Sequence, residues 1–297
     1  MSERKLKHSQ NSLACPICRL GDNVSFRFLK NGYNIYRCDD CNLLFVYPQP
    51  SPDELLRIYD NSYFKRGNKY LTMNETESRS RNLDNDKRKI DVIKKHKETG
   101  KLLDVGCAMG DFLYLARQEG FDVAGVEIST SCTDYVKNKL GIDVHSGDLL
   151  SAQLPSNTYD VVTLWDVIEH LRNPAETLNE TYRILRPGGI LCFSTGDIDS
   201  FYARIMGRFW HLLTPPQHLF YFSAKSIKKI LDRCGLAINQ IAYPGKYATC
   251  DFVLFKARET FGVVVSPFQM IAGLFGFGSS KIYINIHDIM TCVAEKK

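Results

Sequence analysis

The sequence predicts an α/β fold, a parallel sheet with helices on both faces, preceded by a small cysteine-bearing module. Between residues 101 and 200, short apolar segments alternate with amphipathic segments, which is the pattern of repeated β-α units. Before residue 50, four cysteines stand in two C-x-x-C pairs. The predicted boundaries are 10–50 for the cysteine module, 51–98 for a helical connector and 99–297 for the α/β domain.

Composition sets broad limits on the class of protein. The chain has 297 residues, 44% of them apolar, and a net charge of +5, which is mild and does not require a nucleic-acid partner. Six of its ten cysteines are scattered, which favours a reducing compartment over a disulfide framework. The first twelve residues lack an apolar core, and no run of about 20 uncharged apolar residues occurs. We therefore expect no signal peptide, no spanning helix and a cytoplasmic location.

The cysteine module has the spacing of a metal site. Its pattern is C-x2-C-x19-C-x2-C, and the four thiolates predicted to bind one tetrahedral Zn²⁺ are Cys15, Cys18, Cys38 and Cys41. Two predicted strands, Val24–Leu29 and Tyr33–Arg37, are joined by a turn signal between the pairs. Four protein ligands fill the coordination sphere, so the predicted zinc is structural and supplies folding free energy.

The connector contains two predicted helices. Ser51 is placed to cap a short helix that starts at Pro52 and runs to Tyr59. Residues 65–86 are polar and charged, and we expect a solvated loop there, with a flap over a ligand as the alternative. A helix is expected over Lys87–Lys97.

The most informative stretch is Lys101–Asp111, which predicts a strand, a tight turn with Gly106 and Gly110, and a helix. Glycine lets the backbone turn sharply and lets a ligand approach main-chain N–H groups. The next predicted strand ends at Glu127, where a carboxylate can accept both hydroxyls of a ribose. Asp104 precedes the turn at a position that is usually apolar in nucleotide-binding dehydrogenases.

The segment from Asp104 to Gly110 resembles the first motif, D-x-G-x-G-x-G, of class I S-adenosylmethionine-dependent methyltransferases, with Ala108 in place of the middle glycine. Asp148 resembles the family's acceptor for the adenine amino group, and Arg186–Gly189 resembles its turn into the fifth strand. The resemblance covers residues 101–243 and implies a Rossmann-like seven-stranded sheet. It also implies S-adenosylmethionine as cofactor, with binding residues Asp104, Gly106, Cys107, Gly110, Glu127, Ile128, Asp148, Leu149 and Trp165.

A second motif lies at Trp165–His170. On a helix, Asp166, Glu169 and His170 would share one face. The stretch resembles the E-x-x-E-H segment of metal-dependent O-methyltransferases, which implies a divalent ion bound by these three residues and a distant histidine, for which His218 is the candidate. The open alternatives are that His170 or His218 is a catalytic general base, or that both only pack and form hydrogen bonds.

The C-terminal third carries two predicted insertions, near 200–222 and 250–280. The first is expected to wall the acceptor site, where Arg204, Arg208 and His211 could meet a phosphate or carboxylate or form an exposed basic face. The apolar stretch 253–277 could contact a membrane surface or a lipid-linked substrate, or serve as a cover or dimer contact. Residues 282–293 are expected to form a last, antiparallel strand.

These features predict methyl transfer from S-adenosylmethionine. The segment that follows Cys41 looks like the linker of zinc-ribbon methyltransferases from bacterial glycan and secondary-metabolite pathways. That resemblance implies a small-molecule or sugar acceptor, as a nucleotide- or lipid-linked glycan precursor, methylated at oxygen. The rivals are an RNA methyltransferase, disfavoured by Asp39 and Asp40 in the second cysteine pair, a dehydrogenase, and a non-enzymatic zinc-ribbon interaction module. The acceptor and the oligomeric state stay open.

Overall fold

A computed structural model describes residues 13–19, 23–58, 75–250, 253–254 and 280–297. Its strands are β1 (Val24–Lys30), β2 (Tyr33–Cys38), β3 (Leu44–Val46), β4 (Gly100–Val105), β5 (Phe121–Glu127), β6 (Asp143–Ser146), β7 (Tyr159–Trp165), β8 (Leu185–Gly196), β9 (Phe220–Tyr221), β10 (Leu236–Ala242), β11 (Lys246–Thr249), β12 (Lys281–Ile284) and β13 (Ile289–Lys296). Its α-helices are α1 (Pro52–Ile58), α2 (Glu75–Lys94), α3 (Asp111–Gln118), α4 (Thr130–Tyr135), α5 (Pro174–Ile184), α6 (Phe201–Met206) and α7 (Ala224–Arg233). A π-helical turn, Val136–Leu140, extends α4, and 3₁₀ turns occur at Ile168–His170 and Gly207–Phe209.

The main sheet has seven strands in the order β10-β13-β8-β7-β4-β5-β6. The five strands from β8 to β6 are parallel, whereas β13 pairs antiparallel with both β8 and β10. The chain runs outward from β4 through β5 to β6 and then returns to β7 on the other side of β4. This reversal places the topological switch point, where such sheets bind ligands, at the carboxyl ends of β4 and β7.

The predicted Rossmann-like seven-stranded fold is thus confirmed, with two local corrections. The helix expected from Lys87 begins earlier, so the predicted loop is wrong over residues 75–86. The single strand expected at 282–293 is two strands, β12 and β13, which belong to different sheets. Between them the side chain of Asn285 accepts a hydrogen bond from His287 N, and His287 has a φ of 54°, a left-handed conformation that no strand continues through.

The cysteine module and the α/β domain share one small sheet. Its order is β1-β2-β3-β9, and β9 comes from the chain just before α7. The Ser223 hydroxyl, at the N-cap of α7, donates to the carbonyl oxygen of Cys41 over 3.0 Å, and Lys229 Nζ donates to that of Asp40 over 2.9 Å. Leu43 and Phe45 belong to the same apolar core as residues of β7 and β8, so the module is packed against the α/β domain.

Helix α2 is held in place by contacts with the two-stranded β11–β12 sheet. Asn85 exchanges two hydrogen bonds with the backbone of Tyr247, and Lys281 forms an ion pair with Asp84 at 2.7 Å. Among the described residues, none of the helices is both long and apolar enough to cross a membrane. Apart from Val253 and Leu254, the stretch 253–277 considered above for a membrane contact lies outside the described residues.

Candidate cofactor and acceptor site

The turn between β4 and α3 requires its two glycines. Gly106 has a φ of 77° and Gly110 a φ of 75°. A Cβ added at Gly106 would lie 2.6 Å from Cγ2 of Val167, and one at Gly110 would lie 2.9 Å from Cγ2 of Val136. Ala108, which replaces the family's middle glycine, also has a positive φ of 47°, so the turn keeps the shape that a third glycine would allow more easily.

Asp104 lies beneath this turn as a buried carboxyl group. Its side chain is 3% exposed and accepts a 2.6 Å hydrogen bond from the Thr163 hydroxyl on the adjacent strand β7. Burial raises the pKa of Asp104 to about 7, although the Thr163 hydrogen bond and the Lys89 ammonium act in the opposite direction. The site therefore has a carboxyl group at its floor that titrates near neutral pH.

Glu127 lies at the end of β5 and orients the turn. Its two carboxylate oxygens accept hydrogen bonds from the backbone N–H groups of Ala108, at 2.9 Å, and Ser129, at 2.8 Å. The next residue, Ile128, leaves 51% of an apolar side chain exposed beside this carboxylate. An acid that can take ribose hydroxyls, followed by an apolar surface against which a base can pack, suits an adenosine.

The remaining predicted cofactor residues follow the carboxyl edge of the sheet. Asp148 is exposed after β6 and accepts a 2.7 Å hydrogen bond from the backbone N–H of Ser151, while Leu149 is buried. Cys107 is buried in the turn, and burial raises the pKa of its thiol well above the usual value, so the group stays protonated and is no nucleophile.

Trp165, at the end of β7, meets a lysine that sequence reasoning missed. Its indole Nε1 is buried and has no hydrogen-bond partner within the described part of the chain. The Nζ of Lys89, on α2, lies 5.4 Å from the Trp165 ring centroid and 2.9 Å from a carboxylate oxygen of Asp86. Burial opposes the charge on Lys89, but the nearby carboxylates of Asp86, Asp166 and Asp104 raise its pKa above the usual value.

A cavity of about 740 Å³ opens from Trp165 and Asp166 along α2. Its other walls are the ends of β10 and β13 and the β10–β11 connection, including Tyr243 and Lys246. The insertion after β8, expected to wall an acceptor site, contributes none of the residues that line this cavity. Charges of both signs and an aromatic ring beside the switch point suit a polar organic molecule.

Glu169 and His170, which follow β7, are brought together with His218, which precedes β9. One ligand atom from each lies within 4.8 Å of the others, and the two imidazole rings meet edge to face with centroids 4.6 Å apart. His170 Nδ1 lies 2.8 Å from the carbonyl oxygen of Gln217. A carbonyl oxygen can only accept, so Nδ1 carries the proton and the lone pair is on Nε2.

Burial governs the titration of these three groups. It raises the pKa of Glu169 to about 8, with help from the charge of Asp166 and against the hydrogen bond from Thr195. Burial also lowers the pKa of His170, and burial together with His170 lowers that of His218 to about 3. Both imidazoles are therefore neutral at pH 7, the form that binds a metal ion or accepts a proton.

The helical arrangement expected for residues 166, 169 and 170 is wrong. Asp166 has a φ of 55°, and its carboxylate accepts a 2.7 Å hydrogen bond from the Ser194 hydroxyl. Only a 3₁₀ turn, Ile168–His170, follows it. Asp166 is not among the residues whose ligand atoms converge, so the predicted four-residue ligand set is reduced to Glu169, His170 and His218.

Sequence reasoning also missed a polar cluster at the ends of β8 and β13. Asp288 is 2% exposed, accepts a 2.9 Å hydrogen bond from Trp210 Nε1 and lies 3.6 Å from His211 Nδ1. Asp197, just after β8, accepts a 2.6 Å hydrogen bond from the Tyr243 hydroxyl of the cavity wall. These pairs join residues far apart in the chain, so no local pattern signals them.

The four cysteines of the N-terminal module converge as the spacing predicts. The Sγ atoms of Cys15 and Cys41 lie 3.6 Å apart, those of Cys18 and Cys38 lie 3.5 Å apart, and all four lie within 4.8 Å of one another. Sulfurs bound at about 2.3 Å in a tetrahedron would be about 3.8 Å apart. The hydrogen bond with Cys41 lowers the pKa of Cys15 to about 5, while burial raises that of Cys38 to about 11. This close group of thiols has the chemistry and spacing of a tetrahedral metal site.

Comparison with known proteins agrees with this geometry. A family model described as a methyltransferase domain matches residues 77–241. A protein of Mycolicibacterium smegmatis named "probable S-adenosylmethionine-dependent methyltransferase" is 29% identical over 146 residues, which are 48% of this chain and 55% of that protein. The ubiquinone biosynthesis O-methyltransferase of Pseudomonas entomophila is 30% identical over 102 residues, 32% of this chain and 44% of that protein. The chain thus spans about half the length of these curated relatives.

A solved structure of similar fold is that of an S-adenosylmethionine-dependent methyltransferase from Archaeoglobus fulgidus. Its TM-score is 0.53 at 21% identity, and the match covers 80% of this chain and 100% of that one. At that identity the likeness concerns the fold alone. The fold is that of a class I, S-adenosylmethionine-dependent methyltransferase. The chain belongs to the methyltransferase-domain family, because the family model matches more than half of it.

Proposed function

We propose that the protein transfers a methyl group from S-adenosylmethionine to a small polar acceptor. The observation that carries the proposal is the arrangement of Asp104 and Glu127 around the glycine turn, with Glu127 bonded to the N–H of Ala108. The buried indole N–H of Trp165, which lacks a partner in the described chain, and the exposed Ile128 add a polar and an apolar surface to the same edge. These groups fit the cofactor, with Asp148 and Leu149 at its adenine end and Cys107 within the turn.

The bound cofactor supplies a methyl carbon that is already activated by its sulfonium group. The work left to this chain is to place the acceptor in line with that carbon, to exclude water and to take up a proton. The cavity along α2 gives the acceptor space beside Trp165 and Asp166. Neither histidine lines this cavity, so either can act only on an acceptor that extends past Asp166. Of the two, His170 has an unprotonated Nε2 and is the better candidate base, whereas the strongly lowered pKa of His218 favours a positioning role.

The proposal extends to the class of molecule that accepts the methyl group. A sugar or another small molecule with a hydroxyl group, carried as a nucleotide- or lipid-linked precursor, suits the mixed charges of Lys89, Asp166 and Lys246 in the cavity. The O-methyltransferase name of the Pseudomonas entomophila relative supports oxygen as the methylated atom. Resemblance to zinc-ribbon methyltransferases of glycan pathways supports the sugar.

The test is calorimetric titration of the zinc-loaded protein with S-adenosylhomocysteine. Wild type should bind with micromolar affinity, and Asp104→Ala and Glu127→Ala should each weaken binding at least about tenfold. Asp143→Ala, which removes an exposed acid of β6, is the matched control and should bind like wild type. If folded wild-type protein did not bind, the methyltransferase proposal would be wrong, and a non-enzymatic interaction module would be the remaining hypothesis.

A second proposal concerns the four cysteines. We propose that Cys15, Cys18, Cys38 and Cys41 bind one structural Zn²⁺, because the four sulfurs already stand at distances that suit a tetrahedron. The metal would supply folding free energy to a module of three short strands that has little core of its own.

As an alternative to acting as base and positioning residue, His170 and His218 could bind a divalent ion together with Glu169. Two neutral imidazoles and the Glu169 carboxyl group, which would lose its proton on binding, form a familiar ligand set for such ions. With the cysteine site loaded, Mg²⁺ or Mn²⁺ should then bind at a second site that Glu169→Gln removes and His145→Ala, in β6, leaves intact. An ion there would polarise the acceptor oxygen, whereas catalysis unaffected by chelators would assign His170 as the base alone.

A further inference from the structure

Helix α6 and the 3₁₀ turn after it expose an apolar face. Phe201 is 80% exposed, Ile205 66% and Phe209 54%, and Phe201 and Ile205 are the two most exposed large apolar side chains of the described chain. The spacing of four residues places Phe201 and Ile205 on one side of α6. Phe209 follows the helix end at Gly207, which has a φ of 51°. Contiguous apolar surface of this kind is unusual on a protein that has no partner for it.

The orientation of this face is fixed by the packing of the other side. Ala203 and Trp210 are buried in a cluster that also contains Ile35 and Val46 of the small sheet. The Ser200 hydroxyl caps the helix by accepting from the N–H of Ala203 at 3.1 Å, and Trp210 Nε1 donates to Asp288. The apolar side chains therefore point outward because the segment is anchored, and not because its end is frayed.

The cysteine module extends the same surface. Lys30, at the end of β1, donates to the carbonyl oxygen of Arg208 over 2.9 Å, and its Nζ lies 5.9 Å from the ring centroid of Phe209. We call the surface formed by Lys30, Phe201, Arg204, Ile205, Arg208 and Phe209 the α6 patch.

The charges of the α6 patch are almost all positive. The Arg204 side chain is 67% exposed, and the Arg208 guanidinium lies 4.9 Å from the ring centroid of Phe209. The acid paired with the patch is Asp199, 3.7 Å from Arg204. Exposed Phe and Ile side chains interleaved with Arg and Lys are the composition of segments that lie in the interface of a bilayer containing anionic lipids.

We propose that the α6 patch docks the protein on an anionic membrane surface, with Phe201, Ile205 and Phe209 inserted among the lipids. Lys30, Arg204 and Arg208 bind the headgroups. Single-stranded nucleic acid fits less well, because the aliphatic side chain of Ile205 offers no ring on which a base can stack. The inference does not depend on the acceptor chemistry, and none of its residues belongs to the stretch 253–277.

The experiment is co-sedimentation of the zinc-loaded full chain with vesicles. Wild type should bind mixed phosphatidylcholine–phosphatidylglycerol vesicles, bind phosphatidylcholine alone much less, and dissociate at high salt. Phe201→Ser combined with Ile205→Ser and Phe209→Ser should weaken binding at least about tenfold. Arg204→Gln with Arg208→Gln should remove the preference for the anionic lipid.

The matched control is Ile282→Ser with Ile286→Ser, which removes two exposed apolar side chains outside the patch, 37% and 41% exposed. It should bind vesicles like wild type, and circular dichroism should show that every variant is folded. Vesicle binding that survives the triple substitution overturns the proposal. Patch-dependent binding of a single-stranded RNA oligonucleotide, or patch-dependent dimerisation in sedimentation velocity, without vesicle binding overturns it as well.

Discussion

At the scale of single residues, Ala108 departs from the expected glycine at a measurable cost. Its φ of 47° lies in the left-handed region, where a Cβ costs about 1 kcal/mol or more. Ala108→Gly should therefore raise the free energy of unfolding by about 1 kcal/mol, less the entropy that glycine adds to the unfolded chain. Urea denaturation of the cofactor-free protein measures the change.

Two further substitutions make this test specific. Gln153, with a φ of 46°, should also gain stability on replacement by glycine, whereas Ala152, which does not have a positive φ, should lose stability. A loss at Ala108 comparable with that at Ala152 would show that strain is not what distinguishes the position.

Asp104 links stability to pH at the same scale. Burial raises its pKa to about 7 in the folded protein, whereas an unfolded aspartate titrates near 3.9. Between these values the folded state binds the extra proton, so this group makes stability fall as pH rises through the interval and adds no slope above it. The free energy of unfolding of Asp104→Asn does not depend on this titration. Relative to wild type it should therefore rise on the order of 1 kcal/mol per pH unit from about pH 5 to about pH 7.

Urea midpoints of both proteins across this range give the difference, and Asp148→Asn, at an exposed position, is the control. Lys89 lowers the pKa of Asp104, so Lys89→Met should move the upper end of the interval to higher pH. A constant difference between Asp104→Asn and wild type at all pH values would contradict a raised pKa.

At the scale of elements, the central strands could be predicted from sequence and the small sheet only in part. Strands β4, β5, β7 and β8 carry local apolar segments that end at turn residues, so their existence follows from neighbours in the chain. By contrast, β9 is two residues long and is a strand because it pairs with Leu44 and Phe45. Such a strand forms because it pairs with a distant segment, and the local sequence has no periodicity that predicts it.

The candidate site likewise contains residues that could be predicted from the sequence and residues that only the fold brings together. Asp104 and Glu127 stand at the ends of predictable strands, so their meeting at the switch point could be inferred. The contact of Trp210 with Asp288 joins residues 78 positions apart, and Lys89 reaches Trp165 from a helix that begins before its predicted start. Asp166 was misplaced because a positive φ after a strand has no signature in the pattern of side chains.

The shared small sheet predicts that loss of the proposed zinc reaches beyond the cysteine module. Cys38→Ser should remove the bound ion, and hydrogen exchange should then rise in β1, β2 and β3 and also in β9, because β9 pairs with β3. Exchange in β4 and β5 should change little. Cys250→Ser, outside the cluster, should keep one zinc per chain, and protection of β9 that persists in the metal-free variant would separate the two units.

At the scale of the whole molecule, the shared core implies that the cysteine module and the α/β domain unfold together. Cys41, Leu43 and Phe45 pack in the same apolar core as Leu164 of β7 and Phe193 of β8. A continuous core makes one cooperative transition the expected behaviour.

The two tryptophans of the chain report on its opposite parts. Trp165 lies at the carboxyl edge of the main sheet, and Trp210 lies in the cluster that joins α6 to the small sheet. In zinc-loaded Trp210→Phe, the fluorescence of Trp165 should give the same urea midpoint as far-UV circular dichroism, and Trp165→Phe should show the same coincidence for Trp210. The two midpoints are compared within each variant, because loss of the Trp210–Asp288 hydrogen bond shifts the stability of Trp210→Phe alone.

A Trp210 fluorescence midpoint at lower urea than the circular-dichroism midpoint of the same protein would mean that the small sheet unfolds first. In that case the apolar contacts between the module and β7 would be too weak to couple the module to the cofactor site.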